Sequence, residues 1–258
     1  MHPALKRLDH RPWPVPSTAW TWRQKWKDLL FAHYPVPVSV LRPLVPPELT
    51  IQEFGGTSWV GVVPFRMMGV MRRPLPDIPG ISAFPELNVR LYVEYGGKPG
   101  VWFLSLDASN LLAVLAARTL FHLPYHHARI TFQSPFRFPT GPDGFGFESL
   151  RTGPGPKAPF QAHYRPISEV FEAQPGTLEA FLVERYCLYA KSPRGGYFGD
   201  RLFRGEIHHA PWPLQKAEGT LSPHALLETH GISVGDQTPL LHFSKGVDVV
   251  VWSIERVG

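Results

Sequence analysis

Thiol chemistry is almost absent from this sequence: its 258 residues include one cysteine, Cys187. A lone cysteine excludes an internal disulfide framework and cannot build a cysteine zinc site. Its neighbours in "VERYCLYA" are largely apolar, so a buried, inert thiol is expected rather than a nucleophile. Long hydrophobic runs are missing too. No segment approaches the roughly 18 uninterrupted apolar residues of a membrane span, and "MHPALKRLDHRPWPVP" has basic residues with no apolar stretch behind them. The expected compartment is therefore the cytoplasm, with no membrane partner. Charge of one sign never accumulates beyond a pair such as Arg72-Arg73, and no nucleic-acid motif appears. The net charge of +5 thus describes an arginine-rich surface and not a nucleic-acid footprint. GxxxxGK[ST], GxSxG and HExxH are absent, and so is any repeat of 20 to 50 residues. The glycines of "GPDGFGF" and "RTGPGPK" lack a strand–glycine–helix context and read as loops.

What the chain does contain is proline: 29 residues, about twice the usual share of roughly 5%. That density favours short strands and stiff loops over a bundle of long helices. With 43% hydrophobic and 18% charged residues the chain can bury a substantial core. Residues 1–20, where Pro12, Pro14 and Pro16 alternate, read as an extended arm, and 21–258 as a single domain.

Along the domain, "KWKDLLFAHY" reads as a strand and "VSVLRPLVPPEL" as a proline-broken helix or turn. "LTIQEFGGTSWVGVVPFRM" reads as two strands joined at Gly55-Gly56 in hairpin fashion. "ELNVRLYVEY" alternates cleanly, with Leu87, Val89, Leu91 and Val93 on one face and Glu86, Asn88, Arg90 and Tyr92 on the other. "VWFLSLDA" is a covered strand. A helix follows, capped by Asp107 or Ser109, with Leu111, Leu112, Leu115 and Ala116 as its buried stripe and Pro124 beyond its end. From Tyr125 the period returns to two: Tyr125, His127, Arg129 and Thr131 share one face, and His126, Ala128, Ile130 and Phe132 the other. Residues 135–159 read as long loops around weak strands. Thr177 caps a short helix that runs into a strand at Cys187, and "DRLFRGEIHH" and "VDVVVWSI" are further strands. "SPHALLETHG" is a helix with Ser222 as cap and Gly231 after its end. The fold class expected is α+β, dominated by antiparallel sheet and barrel-like, with three or four helices.

Two polar strand faces attract notice. Glu86, Asn88, Arg90 and Tyr92 on one strand, and Tyr125, His127 and Arg129 on another, would form a polar pocket if both faced a barrel interior; a solvated sheet face gives the same pattern. The histidines do not argue for metal. His122 and His126 are separated by Pro124, while His126-His127 and His208-His209 alternate sides of a strand, so no metal site and no cofactor are expected.

The runs "LRPLVPPEL", "WVGVVPFRM", "FPELNVRLYV", "GVWFLSLDA", "LPYHHARI", "ERYCLY", "HHAPWPLQ" and "VDVVVW", with the opening "WRQKWKDL", together resemble the YqjF-like bacterial family over residues 22 to 252. That family is similar, more distantly, to acetoacetate decarboxylase and its relatives, which implies a β-rich, barrel-like fold around a small-acid pocket. In the decarboxylase pattern a glutamate opens the strand matching "ELNVRLYV", which falls on Glu86. Two lysines follow the proline matching Pro124; the one that forms the Schiff base falls on Tyr125, and the one that lowers its neighbour's pKa falls on His126. Neither a phenol nor an imidazole can form an imine, so the resemblance implies a pocket without its Schiff-base chemistry. An early pocket arginine in that pattern would fall among Arg23, Lys25 and Lys27, and the sequence does not choose between them.

The expected function is a small-molecule pocket for a carboxylate or keto acid, related to acetoacetate decarboxylase without its imine. Glu86, Tyr125 and His126 are the catalytic candidates, and Asn88, Arg90, His127 and Arg129 the ligand-binding ones. Glu86 would act as general acid or base, Tyr125 as proton donor or oxyanion partner, and Arg90 or Arg129 as carboxylate clamp. The alternative is a binding protein that keeps the cavity without chemistry. A homo-oligomer is compatible with either.

Overall fold

The computed structural model of the chain describes residues 1–77, 82–139, 141–193 and 199–258. Its elements are β1 (Trp22–Val36), α1 (Val38–Leu41), β2 (Thr50–Ile51), β3 (Ser58–Arg72), β4 (Phe84–Tyr95), β5 (Lys98–Ala108), α2 (Leu111–Phe121), β6 (Tyr125–Phe136) and β7 (Gly144–Arg151). They continue with β8 (Phe160–Pro166), α3 (Leu178–Val183), β9 (Cys187–Lys191), β10 (Leu202–His209), β11 (Leu214–Leu221), α4 (His224–Glu228), β12 (Leu240–Val251) and β13 (Glu255–Arg256).

A shared sheet, β12-β1-β3-β4-β5, is antiparallel throughout. At each of its two outer strands the free edge serves two partners. β5 pairs in parallel with β9 through Val101 and Trp102, and with β6 through Leu106 to Ala108. β12 pairs with β10 through Val249 to Val251, and with β11 through His242 to Ser244. The pairings therefore close two rings across the same five strands: one returns through β9 and β10, the other through β6, β7, β8 and β11.

The alternation of β4 now has a physical meaning. Leu87, Val89, Leu91 and Val93 pack with Phe147, Phe160, Ala162 and Tyr164 from the β6–β11 return, whereas Tyr92 packs on the opposite face with Val101, Leu188 and Ile207 from the β9–β10 return. Strands covered on both faces need no solvated side, and the polar face of β4 is buried along its length: Glu86, Asn88 and Arg90 are all under 9% exposed. One glycine is needed for this packing. Gly246 has φ +126, and a Cβ there would stand 2.0 Å from the carbonyl oxygen of Trp26, so only glycine lets β12 pass β1 at that point.

Several local expectations are corrected. β2 pairs with β4, not β3, and the Gly55-Gly56 turn is closed by a single bridge between Phe54 and Thr57. The cap of α2 is Asn110, whose side chain accepts from the amides of Leu112 and Ala113; Asp107 instead ends β5, fully buried, where it accepts from Arg151 Nε at 2.9 Å. The helix is also turned relative to its expected stripe. Leu111, Leu112 and Leu115 are half exposed or more, and Val114 with Ala113, Ala117 and Phe121 meets the core. A helix apolar around most of its circumference gives the period no contrast to report. Ser222 does not cap α4; its hydroxyl accepts from the amide of Gln161 across to β8. Residues 135–159 contain the regular strand β7. The N-terminal residues carry a single 3₁₀ turn, Pro3–Lys6, and Arg11 buries its guanidinium against Glu206, which also receives Trp13 and Lys98. No helix among the described residues is long and apolar enough to cross a membrane.

The two-sided burial of β4 and the outward face of α2 set opposite expectations for leucine truncation. Leu91→Ala should cost about 2–4 kcal/mol by leaving a cavity, while Leu112→Ala should cost under about 0.5 kcal/mol. Urea denaturation of both variants beside the parent checks this, and equal losses would contradict the facing described for α2.

Candidate functional site

A cavity of about 150 Å³ lies inside the ring that returns through β9 and β10. Its walls are mainly apolar and aromatic: Trp26, Val63, Phe65, Phe103, Leu106 and Trp212 are representative, and Trp26 stacks on Trp212 at 6.0 Å between ring centroids. The Ala113, Ala116 and Ala117 side of α2 covers one end. Small side chains there bring the helix close without filling the space.

Polar groups enter this apolar chamber at two places. At the first, the Tyr125 hydroxyl donates to Glu86 Oε2 at 2.9 Å. β4 supplies the carboxyl, and β6 supplies the phenol through its short parallel pairing with β5, Leu106 opposite Tyr125. Glu86 is 2% exposed. Burial, helped by the nearby negative charge of Asp107, raises its pKa from 4.5 to about 8 against the opposing effect of the Tyr125 hydrogen bond. Burial and the neighbouring carboxyl hold the Tyr125 phenol well above its ordinary value. At neutral pH the pair is thus a protonated acid beside a neutral phenol, able to give or take one proton. Asn88, the next polar residue along the strand, has a buried Oδ1 with no hydrogen-bond partner.

The second place holds two guanidinium groups. Arg90 donates from Nη2 to the Leu182 carbonyl at 3.1 Å and from Nε to the Tyr92 hydroxyl at 3.3 Å; that hydroxyl also meets His33 Nε2 at 2.6 Å. Arg185, in the turn between α3 and β9, donates from Nε to the Phe181 carbonyl at 2.7 Å and from Nη1 to Gln52 Oε1. Its charge lies over the rings of Phe181, at 4.4 Å, and Tyr92, at 5.1 Å. Burial lowers its pKa from 12.5 to about 10, so it stays charged at neutral pH.

Of the residues singled out from sequence, Glu86, Asn88, Arg90 and Tyr125 line the cavity together. His126, His127 and Arg129 do not. β6 stays beside β5 for three residues, then pairs with β7 from Ala128 onward and leaves the chamber, so shared parity with Tyr125 no longer means a shared wall. His127 Nδ1 bonds Thr152 Oγ1 at 2.7 Å, and Arg129 is exposed. His126 faces the other way, where burial first, then the charges of Arg151 and Arg118, lower its pKa from 6.5 to about 4. Neither Arg23, Lys25 nor Lys27 lines the cavity; from β1 Trp22, Gln24 and Trp26 do, on the opposite parity, and Leu29 joins them beyond Asp28, whose φ of 54 breaks the alternation. Sequence reasoning missed Arg185, whose only signal is a charged residue in "FLVERYCLYA", and His209, the inward member of the His208-His209 pair.

The raised pKa of Glu86 fixes the sign of a pH dependence. The unfolded chain releases this proton near pH 4.5 and the folded chain near pH 8, so stability from this group is complete below 4.5 and is lost as pH rises to 8. Asp107, with folded pKa about 6, acts the same way between 3.8 and 6. The buried histidines at about 4, among them His126, His209 and His230, act oppositely, costing stability as pH falls from 6.5. Between pH 6.5 and 8 Glu86 therefore dominates. The Tm of Glu86→Gln should be flatter across that interval than the parent's, and a parent-like slope would contradict a protonated Glu86.

The solved structures similar to this one share its arrangement. An acetoacetate decarboxylase-like enzyme from Sphingomonas wittichii RW1 aligns with a TM-score of 0.65 at 14% identity, over 96% of this chain and 97% of its own. The acetoacetate decarboxylase of Legionella pneumophila aligns at 0.60 and 15%, over 97% and 94%. The enduracididine biosynthesis enzyme MppR, complexed with pyruvate, aligns at 0.62 and 13%, over 93% and 91%. At such identities the likeness establishes an acetoacetate decarboxylase-like fold and no more. In sequence, the uncharacterized protein YqjF of Bacillus subtilis (strain 168) is 42% identical over 251 residues, covering 97% of this chain and 98% of that protein. The family described as an uncharacterized conserved protein, DUF2071, matches residues 23–248, and the chain belongs to that family.

Proposed function

We propose that this protein binds an organic acid, a carboxylate or keto acid, and transfers a proton to or from it by non-covalent acid–base chemistry. The observation that carries this reading is the buried Tyr125–Glu86 hydrogen bond in the wall of a mostly apolar chamber. A carboxyl group with a pKa of about 8 is poised to exchange a proton near neutrality, and a positioned phenol steadies whichever form results. No lysine is among the cavity-lining residues, so the imine chemistry of the decarboxylase pattern has no amine to use, and Tyr125 falls where that pattern has its Schiff-base lysine. That a structural neighbour, MppR, holds pyruvate supports a keto acid as the kind of ligand.

The roles follow from position. Glu86 accepts the proton from a carbon next to a carbonyl, or returns it; Tyr125 Oη holds Glu86 Oε2 in place; and Asn88, whose buried Oδ1 has no partner, presents its side-chain amide to the ligand. A second reading is a binding protein without turnover, favoured by the mostly apolar wall, which excludes the water a hydration would consume.

With acetoacetate the protein is expected to release no carbon dioxide above background, and borohydride should attach no label to it. Incubated with pyruvate or acetoacetate in D₂O, the parent should exchange protons next to the carbonyl, measured by NMR, and Glu86→Gln should lose that exchange at least a hundredfold. Tyr125→Phe should lose less, and both variants should stay within a few degrees of the parent's Tm. Binding of the acids without exchange selects the second reading. Covalent trapping on a lysine would sink both.

A further inference from the structure

Among the described residues four arginines are buried: Arg11, Arg90, Arg151 and Arg185. Two of them face carboxylates directly. Arg11 meets Glu206, and Arg151 Nε meets Asp107 Oδ1 at 2.9 Å. Arg90 and Arg185 form no ion pair among the described residues, although both are under 9% exposed. Glu94 is tied to Arg185 only through Gln52, whose Nε2 donates to Glu94 Oε2 at 2.9 Å. Buried charges without a counter-ion are costly, and the cost persists where an outside group repays it. Both of these guanidiniums open on the same cavity, and their charges share the Tyr92 ring, Arg90 at 5.7 Å and Arg185 at 5.1 Å. Arg185 also has a buried Nη2 with no hydrogen-bond partner.

The position of the pair relative to Glu86 constrains what bridges them. Arg90 lies four residues beyond Glu86 on β4, about 13 Å at roughly 3.3 Å per strand residue, and its Nε turns onward to Tyr92, away from Glu86. A three- or four-carbon keto acid that brings its carbonyl to Glu86 for proton exchange leaves its carboxylate short of the arginines, so it would react there without being clamped. Apart from Asn88, which stands between them on β4, the lining that the two polar ends share is mostly apolar and includes Val63, Leu106, Phe103 and the stacked Trp26 and Trp212. A volume of about 150 Å³ matches cavities that take up a benzene-sized body.

Resting on the organic-acid reading above, we infer that the ligand is a carboxylate with an apolar body, an aryl-alkyl or medium-chain acid, bound with its head between Arg90 and Arg185 and its far end at Glu86 and Tyr125. The protonated Glu86 adds no negative charge to repel such an anion, and the ligand carboxylate gives the two guanidiniums the counter-ion that no carboxylate among the described residues provides by direct contact. The chemistry at Glu86 is thereby separated from the carboxylate by the length of the body.

The test is isothermal titration of the intact protein with acetate, butyrate, hexanoate, octanoate and 3-phenylpropionate, and with 1-octanol and 3-phenylpropanol as uncharged counterparts. Affinity should rise about fourfold per added methylene until the chamber is full, the fold-change equivalent of burying one methylene. Each acid should bind at least tenfold more tightly than its alcohol. Arg90→Gln and Arg185→Gln should each erase that preference, and their unliganded Tm should hold or rise, because an uncompensated buried charge is removed. Arg185→Lys, which keeps the charge, should retain part of the preference. Butyrate binding as tightly as octanoate and 3-phenylpropionate would overturn the apolar body while leaving the acid–base reading intact. Acids and alcohols binding alike, or a preference that survives in both glutamine variants, would overturn the placement of the head. Failure of every acid to bind would overturn this inference and the organic-acid reading together.

Discussion

The hydrogen bond between Tyr125 and Glu86 joins the two parts of the molecule that have least reason to meet. Glu86 stands near the start of a long antiparallel strand, and Tyr125 at the first residue of a strand that touches the shared sheet for only three residues before departing. The contact needs the left-handed turn at His122, with φ 54, and Pro124 immediately before the strand, which end α2 and aim the chain back. It also gives a buried carboxyl group its hydrogen-bond partner. The cover of the cavity by α2 and the departure of β6 both meet at this one bond, which tempers the rise that burial imposes on the pKa of Glu86.

How legible was this in the sequence? The alternation of β4 identified Glu86, Asn88 and Arg90 as one face, because period two is a property of neighbours along a chain. The same rule failed on β6. His127 and Arg129 do share parity with Tyr125, but β6 crosses from β5 to β7 after His127, and a parallel pairing of three residues leaves no local signature. The cap of α2 misled for a related reason: Asp107, Ser109 and Asn110 are all competent caps, and Asp107 is excluded only because Arg151, 44 residues away, takes it. Arg185 was invisible since nothing in a helix–turn–strand junction tells which way a charged side chain points. The resemblance to the decarboxylase relatives supplied what pattern could not, namely that the faces of Glu86 and Tyr125 belong to one chamber.

The buried polar groups differ in how they are satisfied. Glu206 collects Arg11, Trp13 and Lys98 and fixes the N-terminal residues to β10, a cluster in which each cation has a carboxylate in contact. Asp107 and Arg151 match each other on the outer side of β5. Inside the chamber the bookkeeping is open: Asn88 Oδ1 and Arg185 Nη2 are buried without partners. Single unpartnered atoms also occur on Arg11 and Arg151, but those two arginines have a carboxylate in contact, whereas Arg185 has none.

The division of β4 between two cores bears on how such a protein changes over time. Odd-numbered residues of the strand pack one interior and even-numbered residues the other, so a substitution at position 86, 88 or 90 is insulated from the interior that Leu87, Val89 and Leu91 hold together. One interior can drift as architecture while the other is rewritten as chemistry, residue by residue, with no need for both to change at once. A lysine exchanged for Tyr125 or a lost catalytic pair would then be a local edit. That modularity gives a physical route by which one fold can persist across structures sharing only 13 to 15% of their residues while the side chains of one chamber change.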